Sequence, residues 1–174
     1  MSAPAAGRPE PEEHNPYYAR YISLVPEGDV VATLERQLDG TLALLRGLSE
    51  TQAGARYAPD KWSVREVVGH VIDTERIFGY RALRFARGDG TPLPGFEQDD
   101  YVRSAAFDDY PLNELADELE HVRRSNLSFF RHLDGVAWLR RGAANDSEVS
   151  VRALAYIMAG HELHHVGVLR AKYL

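Results

Sequence analysis

The run Ser150-Val-Arg-Ala-Leu-Ala-Tyr-Ile-Met-Ala-Gly-His-Glu-Leu-His-His-Val-Gly-Val-Leu-Arg-Ala-Lys172 decides how this chain is read. It contains no proline, and Leu154, Ile157, Met158, Val168 and Leu169 recur at the three- and four-residue spacing of one helical face. Successive helix residues turn by about 100°, so His161 and His165 stand about 40° apart, on the stripe that carries Leu154 and Val168. Both imidazoles therefore point into the core, while His164 falls about 60° the other way, at the edge of that stripe. A lone histidine on an apolar face is ordinarily a hydrogen-bonded core residue. Two at i, i+4 must each satisfy ring nitrogens away from water, at a cost of a few kcal/mol if no partner is found. One shared metal ion serves both rings, and the i, i+4 spacing suits a zinc-type ion.

Outward from this helix, the clearest start signal lies at Ser63 with Glu66, a capping-box pattern that opens a helix running to about Arg87, with Gly88 as its stop. His70 shares its core-facing side with Val67, Val71, Thr74, Ile77 and Phe78. It lies about 10 Å past Ser63, and His165 about 14 Å before the chain end. If these two helices run antiparallel, His70, His161 and His165 reach one level and converge. His121 and His132, beside Glu120 and Arg131, read as solvated-face residues, and His14 as a polar tail residue.

Two more helices complete the pattern. One spans about Asp29 to Leu48, with Val30, Val31, Leu34, Leu38, Leu42, Leu45 and Leu48 on one face. Another spans Pro111 to Leu133, with Leu115, Leu119, Val122, Phe129 and Phe130 as core residues. Four helices predict an all-α four-helix bundle. The connection 88–110 is crowded with Gly88, Gly90, Pro92, Pro94 and Gly95, with room for a helical turn near Gln98–Arg103. It is too long for an ordinary loop, which suggests a crossover spanning the bundle between the second and third helices. No alternating strand and no internal repeat is expected. Residues 1–16, with Pro4, Pro9, Pro11 and Pro16, read as a flexible N-terminal tail, and 17–174 as one domain.

Composition closes off several classes. The chain of 174 residues has no cysteine, which excludes disulfides, thiolate metal sites and a cysteine nucleophile. A net charge of −6 with mixed signs and no basic block argues against nucleic acid as a partner. No apolar run reaches the ~18 residues of a membrane span, and no signal-peptide core is evident, so a cytoplasmic location is expected.

With these residues in place, the chain resembles the DinB superfamily, in its YfiT-like branch. The resemblance is carried by Lys61-Trp62-Ser63-x-x-Glu66-Val67-x-x-His70 and His161-x-x-x-His165. Leu93-Pro94-Gly95-Phe96 with Asp99 and Asp100, and Val122-Arg123-Arg124, are similar as well. It covers essentially residues 25–174 and implies an up-down-down-up bundle. It also implies divalent zinc or nickel on His70, His161 and His165, and a homodimer. Characterised members of the family include transferases that attach low-molecular-weight thiols to electrophiles and a mycothiol-dependent isomerase.

Three neutral imidazoles leave an ion its full charge and at least one open position, which serves a thiol S-transferase or a hydrolase acting on a small molecule. Asp73 is a candidate for orienting a ligand imidazole, with an exposed salt-bridge partner as the plain alternative, and Glu162 is the other candidate acid–base group. His161-Glu162-x-x-His165 also matches the zincin peptidase pattern, with Glu162 as base. The short remainder of the chain and the lack of strands count against it. A metal-binding or interaction domain without catalysis is the remaining alternative. Arg81 and Arg84 could bind an anionic substrate, but read more simply as surface charges.

Overall fold

The structure is a computed structural model, and it describes residues 7–174. Its elements are α1 (Ala19–Ile22), α2 (Val30–Arg46), α3 (Glu50–Ala53), α4 (Val64–Ala86), α5 (Gln98–Ala105), α6 (Leu112–Arg131) and α7 (Gly135–Leu139). The hairpin β1 (Arg141–Ala144) and β2 (Ser147–Ser150) and the helix α8 (Val151–Lys172) follow. The four expected helices are α2, α4, α6 and α8, each within about two residues of the expected bounds. Their starts are chemical: Asp29, Ser63 and Ser150 each accept a hydrogen bond from the first-turn backbone, and at Ser63 the reciprocal Glu66 bond closes the capping box.

Long-range contacts set the helix directions. Tyr173 Oη donates to the Trp62 carbonyl and Arg140 to the Ala86 carbonyl, so α4 and α8 are antiparallel. Gln37 donates to Ala159 O and Thr41 to Glu162, so α2 and α8 run the same way. Arg123 with Glu75 and Asn126 beside Gly79 set α4 and α6 parallel. The bundle is therefore up-down-down-up. Parallel neighbours cannot be joined by a tight turn, which is why the connection after α4 must travel the length of the bundle.

That connection is pinned rather than loose. Leu93 N–H donates to Ala143 O (2.9 Å) and Asn145 N–H to Leu93 O (3.0 Å), stitching it to the hairpin. The hairpin turn places Asn145 and Asp146 at φ 52° and 56°, the left-handed region that Asn and Asp tolerate best after glycine. The Asn145 side chain lies against Gly95, where any Cβ would collide with it. This hairpin corrects the expectation of no strand. Its four-residue strands are too short, and Gly142-Ala143-Ala144 too bland, to show alternation.

The segment expected as a flexible tail is also fastened from Arg8 onward. Arg8 donates to the Ile22 and Val25 carbonyls, and buried Glu13 accepts from Ser150 and Arg152. The prolines do break a regular helix there, but ion pairs hold the segment against the bundle.

The apolar core comes in two parts. One gathers Leu34, Phe78, Phe85, Phe130, Trp138, Leu154 and Ile157; the other gathers Leu38, Leu45, Val68, Ile72, Leu115, Leu119 and Leu169. Between them the bundle carries buried polar groups: Thr41 on α2, His70 and Glu75 on α4, Arg123 on α6, His161 and Glu162 on α8. Val122, Phe129 and Val168, expected in the core, are only half-buried. On α6 the buried stripe is Leu115, Leu119, Arg123, Leu127 and Phe130, with Arg123 and Leu127 in place of the expected Val122 and Phe129.

Candidate metal centre

His70 stands two turns into α4, and His161 and His165 stand one turn apart on α8. Because the helices are antiparallel, all three reach one level. His70 and His161 are buried and His165 half-buried. The Nε2 of His161 lies 3.0 Å from Nε2 of His70 and 3.1 Å from Nε2 of His165, and one nitrogen from each ring fits within 4.8 Å of the others.

A ring nitrogen carries one proton or one lone pair, so Nε2 of His161 cannot make two good hydrogen bonds to its neighbours at once. An ion at the usual nitrogen distance does better: two imidazoles on a tetrahedral zinc-like ion stand about 3.3 Å apart, close to the spacing observed. The electrostatics agree. Burial pushes His70 down to about 4, against the opposing pull of Asp99. Burial and the neighbouring rings push His165 down to about 3 and His161 well below the ordinary histidine value. All three are neutral at pH 7, the form that donates a lone pair to a metal.

Packing fixes the rings. Trp62 lies 4.9 Å from His70 and Tyr21 lies 5.5 Å from His161, centroid to centroid. Tyr21 comes this close because Gly160 has no side chain: a Cβ there would collide with the Tyr21 carbonyl. The Thr74 hydroxyl is 3.5 Å from Nδ1 of His70, at the outer limit of a hydrogen bond. His164 is exposed, its ring against Tyr21 and His165, and does not join the group.

One face of the group opens on a cavity of about 480 Å³ that His70 and His161 line. That volume falls in the usual range for small-molecule sites. Its walls come from Tyr17, Tyr18 and Tyr21 on one side and Phe96, Asn145 and Ser147 on another.

The remaining candidates separate clearly. Glu162 is 1 % exposed and faces away from the rings, into the bundle. Its Oε2 accepts from Arg123 Nη2 at 2.8 Å and its Oε1 from Thr41 at 2.6 Å. Both oxygens are committed, so the zincin pattern has no free base here. Asp73 is half-buried outside the cavity, its pKa raised by burial, with Arg76 and Glu118 as charged neighbours. Thr74, not Asp73, is the polar neighbour of the His70 ring. Arg84 is tied to Asp89 at the surface, as expected. Arg81 is not at the surface: it is 4 % exposed and lines the cavity. His121 and His132 are exposed, and His14 bonds the Asn15 carbonyl outside the group.

Arg123 went unassigned in the sequence and is the most consequential polar residue of the interior. It is fully buried, gives a fork to Glu75 (2.6 and 2.8 Å), reaches Glu162, and donates to the Leu34 carbonyl at 2.9 Å. Its four-residue spacing from Leu119 and Leu127 was the available signal.

A four-helix bundle with three neutral histidines, two of them buried, converging beside a small-molecule cavity, defines a class of protein whose site could hold a metal ion. The family model that describes the DinB superfamily matches residues 33–169, and the chain belongs to that superfamily. Among solved structures it is similar to YfiT from Bacillus subtilis, described as a probable metal-dependent hydrolase with an unusual four-helix bundle topology. The two share 15% identity with a TM-score of 0.64, over 93% of this chain and 91% of that one, a likeness of fold. No curated protein matches.

Proposed function

We propose that this chain is a metal-dependent enzyme acting on a small molecule, and that its reaction is thiol S-transfer. His70, His161 and His165 would hold a divalent ion, zinc or nickel, both of which imidazole ligands suit. The observation that carries the reading is the convergence of three neutral imidazoles, two of which face an open cavity. A closed structural site would bring a fourth protein ligand. Among the described residues no carboxylate joins the three rings, and the sequence has no cysteine.

The chemistry a bound divalent ion supplies is positive charge that favours thiolate or hydroxide at neutral pH. The chain's own residues do the rest. The buried rings stay unprotonated and keep their lone pairs. Trp62 and Tyr21 hold the ring planes. Water activation profits from a buried carboxylate base; Glu162 is locked to Arg123 and Thr41, and the carboxylates on the cavity wall, Glu97 and Asp99, are exposed. A thiol that ionises on binding needs no such base, which favours S-transfer. Hydrolysis is the second reading, supported by the description of YfiT. The homodimer that the resemblance implies belongs to the same proposal and is checked by sedimentation.

Metal analysis of the purified protein beside His70→Ala and His161→Ala tests the site. About one ion per chain in the parent and a near-complete loss in both variants is expected, and equal content in all three overturns it. Conjugation of bacillithiol, mycothiol and glutathione to a test electrophile, against hydrolysis of model esters and amides, separates the reactions. Thiol transfer that survives complete metal removal overturns the mechanism.

A further inference from the structure

Arg81 is a buried cation without an anion. Its helix neighbours Arg76 and Arg84 pair with Glu118 and Asp89, whereas among the described residues no carboxylate pairs with Arg81. Its Nη2 donates to the Pro94 carbonyl at 2.8 Å, and its other polar neighbour is the Tyr18 hydroxyl. A guanidinium has five N–H donors, so these neutral contacts leave donors over and the charge unbalanced. Burial disfavours that charge and pushes its pKa down. A buried charge without a counter-ion is costly, and a cavity wall is where an incoming anion relieves it.

The same cavity carries the histidines. Phe78 connects the two ends: its ring lies 5.8 Å from the Arg81 guanidinium carbon and 6.3 Å from the His161 ring. Asn145 and Ser147 add an amide and a hydroxyl to the wall. The other charges lining the cavity are Glu97 and Asp99, both exposed. One cation above an acidic edge suits a single negative charge and opposes a dianion such as phosphate. A planar carboxylate also matches the guanidinium fork.

Resting on the small-molecule reading above, we infer that Arg81 is the carboxylate-recognition residue of this cavity, and that the substrate or thiol it takes is a monocarboxylate whose reacting end lies toward His70 and His161.

Calorimetric titration with 3-mercaptopropionate and its neutral counterpart 3-mercaptopropan-1-ol, on metal-loaded and on chelator-stripped protein, tests this. The carboxylate probe should bind about tenfold tighter than the alcohol, the gain typical of a hydrogen bond to a charged group. Arg81→Gln keeps a donor for Pro94 and removes the charge, and should abolish the preference; Arg81→Lys should retain part of it. Equal binding of both probes to the parent, failure of both to bind, or a preference unchanged in Arg81→Gln overturns the assignment. If Arg81→Gln does not fold, a reduced preference in Arg81→Lys beside a full one in an Arg84→Gln control, whose charge lies outside the cavity, supports the fork, and a full preference in Arg81→Lys overturns it. Metal content is measured on every variant, so a failed carboxylate preference with one ion still bound strikes the inference and leaves the metal site standing.

Discussion

Two polar clusters lie back to back in this bundle, joined at consecutive residues of α8. His161 faces the cavity with His70 and His165, and Glu162 faces the interior with Arg123, Glu75 and Thr41. The second cluster is closed: each carboxylate has charged and neutral donors, and the guanidinium fork is filled down to the Leu34 carbonyl. The first is open: one nitrogen faces two others that it cannot satisfy, beside a cavity. His70 and His161 are buried as the second cluster is, so burial does not tell the two apart. Satisfaction does. A closed network holds helices in register, and an incompletely satisfied one waits for a ligand.

The contrast can be broken experimentally. Arg123→Met should have the largest effect, because it strands two buried carboxylates. A loss of about 3–5 kcal/mol in urea unfolding is expected, and a loss under about 1 kcal/mol would mean that the closed cluster carries no such role. Acid comes next, on metal-free protein. Above pH 6.5 the rings are neutral folded or unfolded and add no pH dependence. As pH falls below 6.5, unfolded imidazoles take protons that the buried rings refuse, and stability drops until the folded value is reached, about 4 for His70. That ring alone accounts for about 3 kcal/mol, read as the difference in pH slope between the parent and His70→Phe; identical slopes would contradict its neutral burial. Zinc at a hundred times its dissociation constant should then stabilise the parent at pH 7 by about 2.7 kcal/mol and leave His161→Ala unmoved in a thermal melt. Thr41→Val should be smallest, about 1–2 kcal/mol for one hydrogen bond to a charged group, with metal content unchanged; altered metal content would mean the clusters are not separate.

Much of this was legible in the residues. Ser63 with Glu66 marked the start of α4, and the spacing of His161, His165 and His70 predicted which rings would share a level. What escaped has one physical cause in several places. Arg81, Arg123 and the orientation of Glu162 were hidden because charge is read as solvent-facing, and a charged side chain on the core stripe is invisible until its partner is known. Arg123 and Leu127 take the places on the α6 stripe expected of Val122 and Phe129. The β-hairpin was missed for a different reason: its two strands pair with each other over four residues each, and Gly142-Ala143-Ala144 carries no alternation that would report them.

The stitched connection has a bearing on how new specificities could arise on this frame. The three rings sit on long helices whose spacing is set by the core, whereas the surfaces above them come from the 95–99 stretch, the Asn145 turn and the segment around Tyr17. Exchanging residues in those surfaces leaves α4 and α8 undisturbed. The chamber can be retailored for a different guest while the anchoring nitrogens stay where they are.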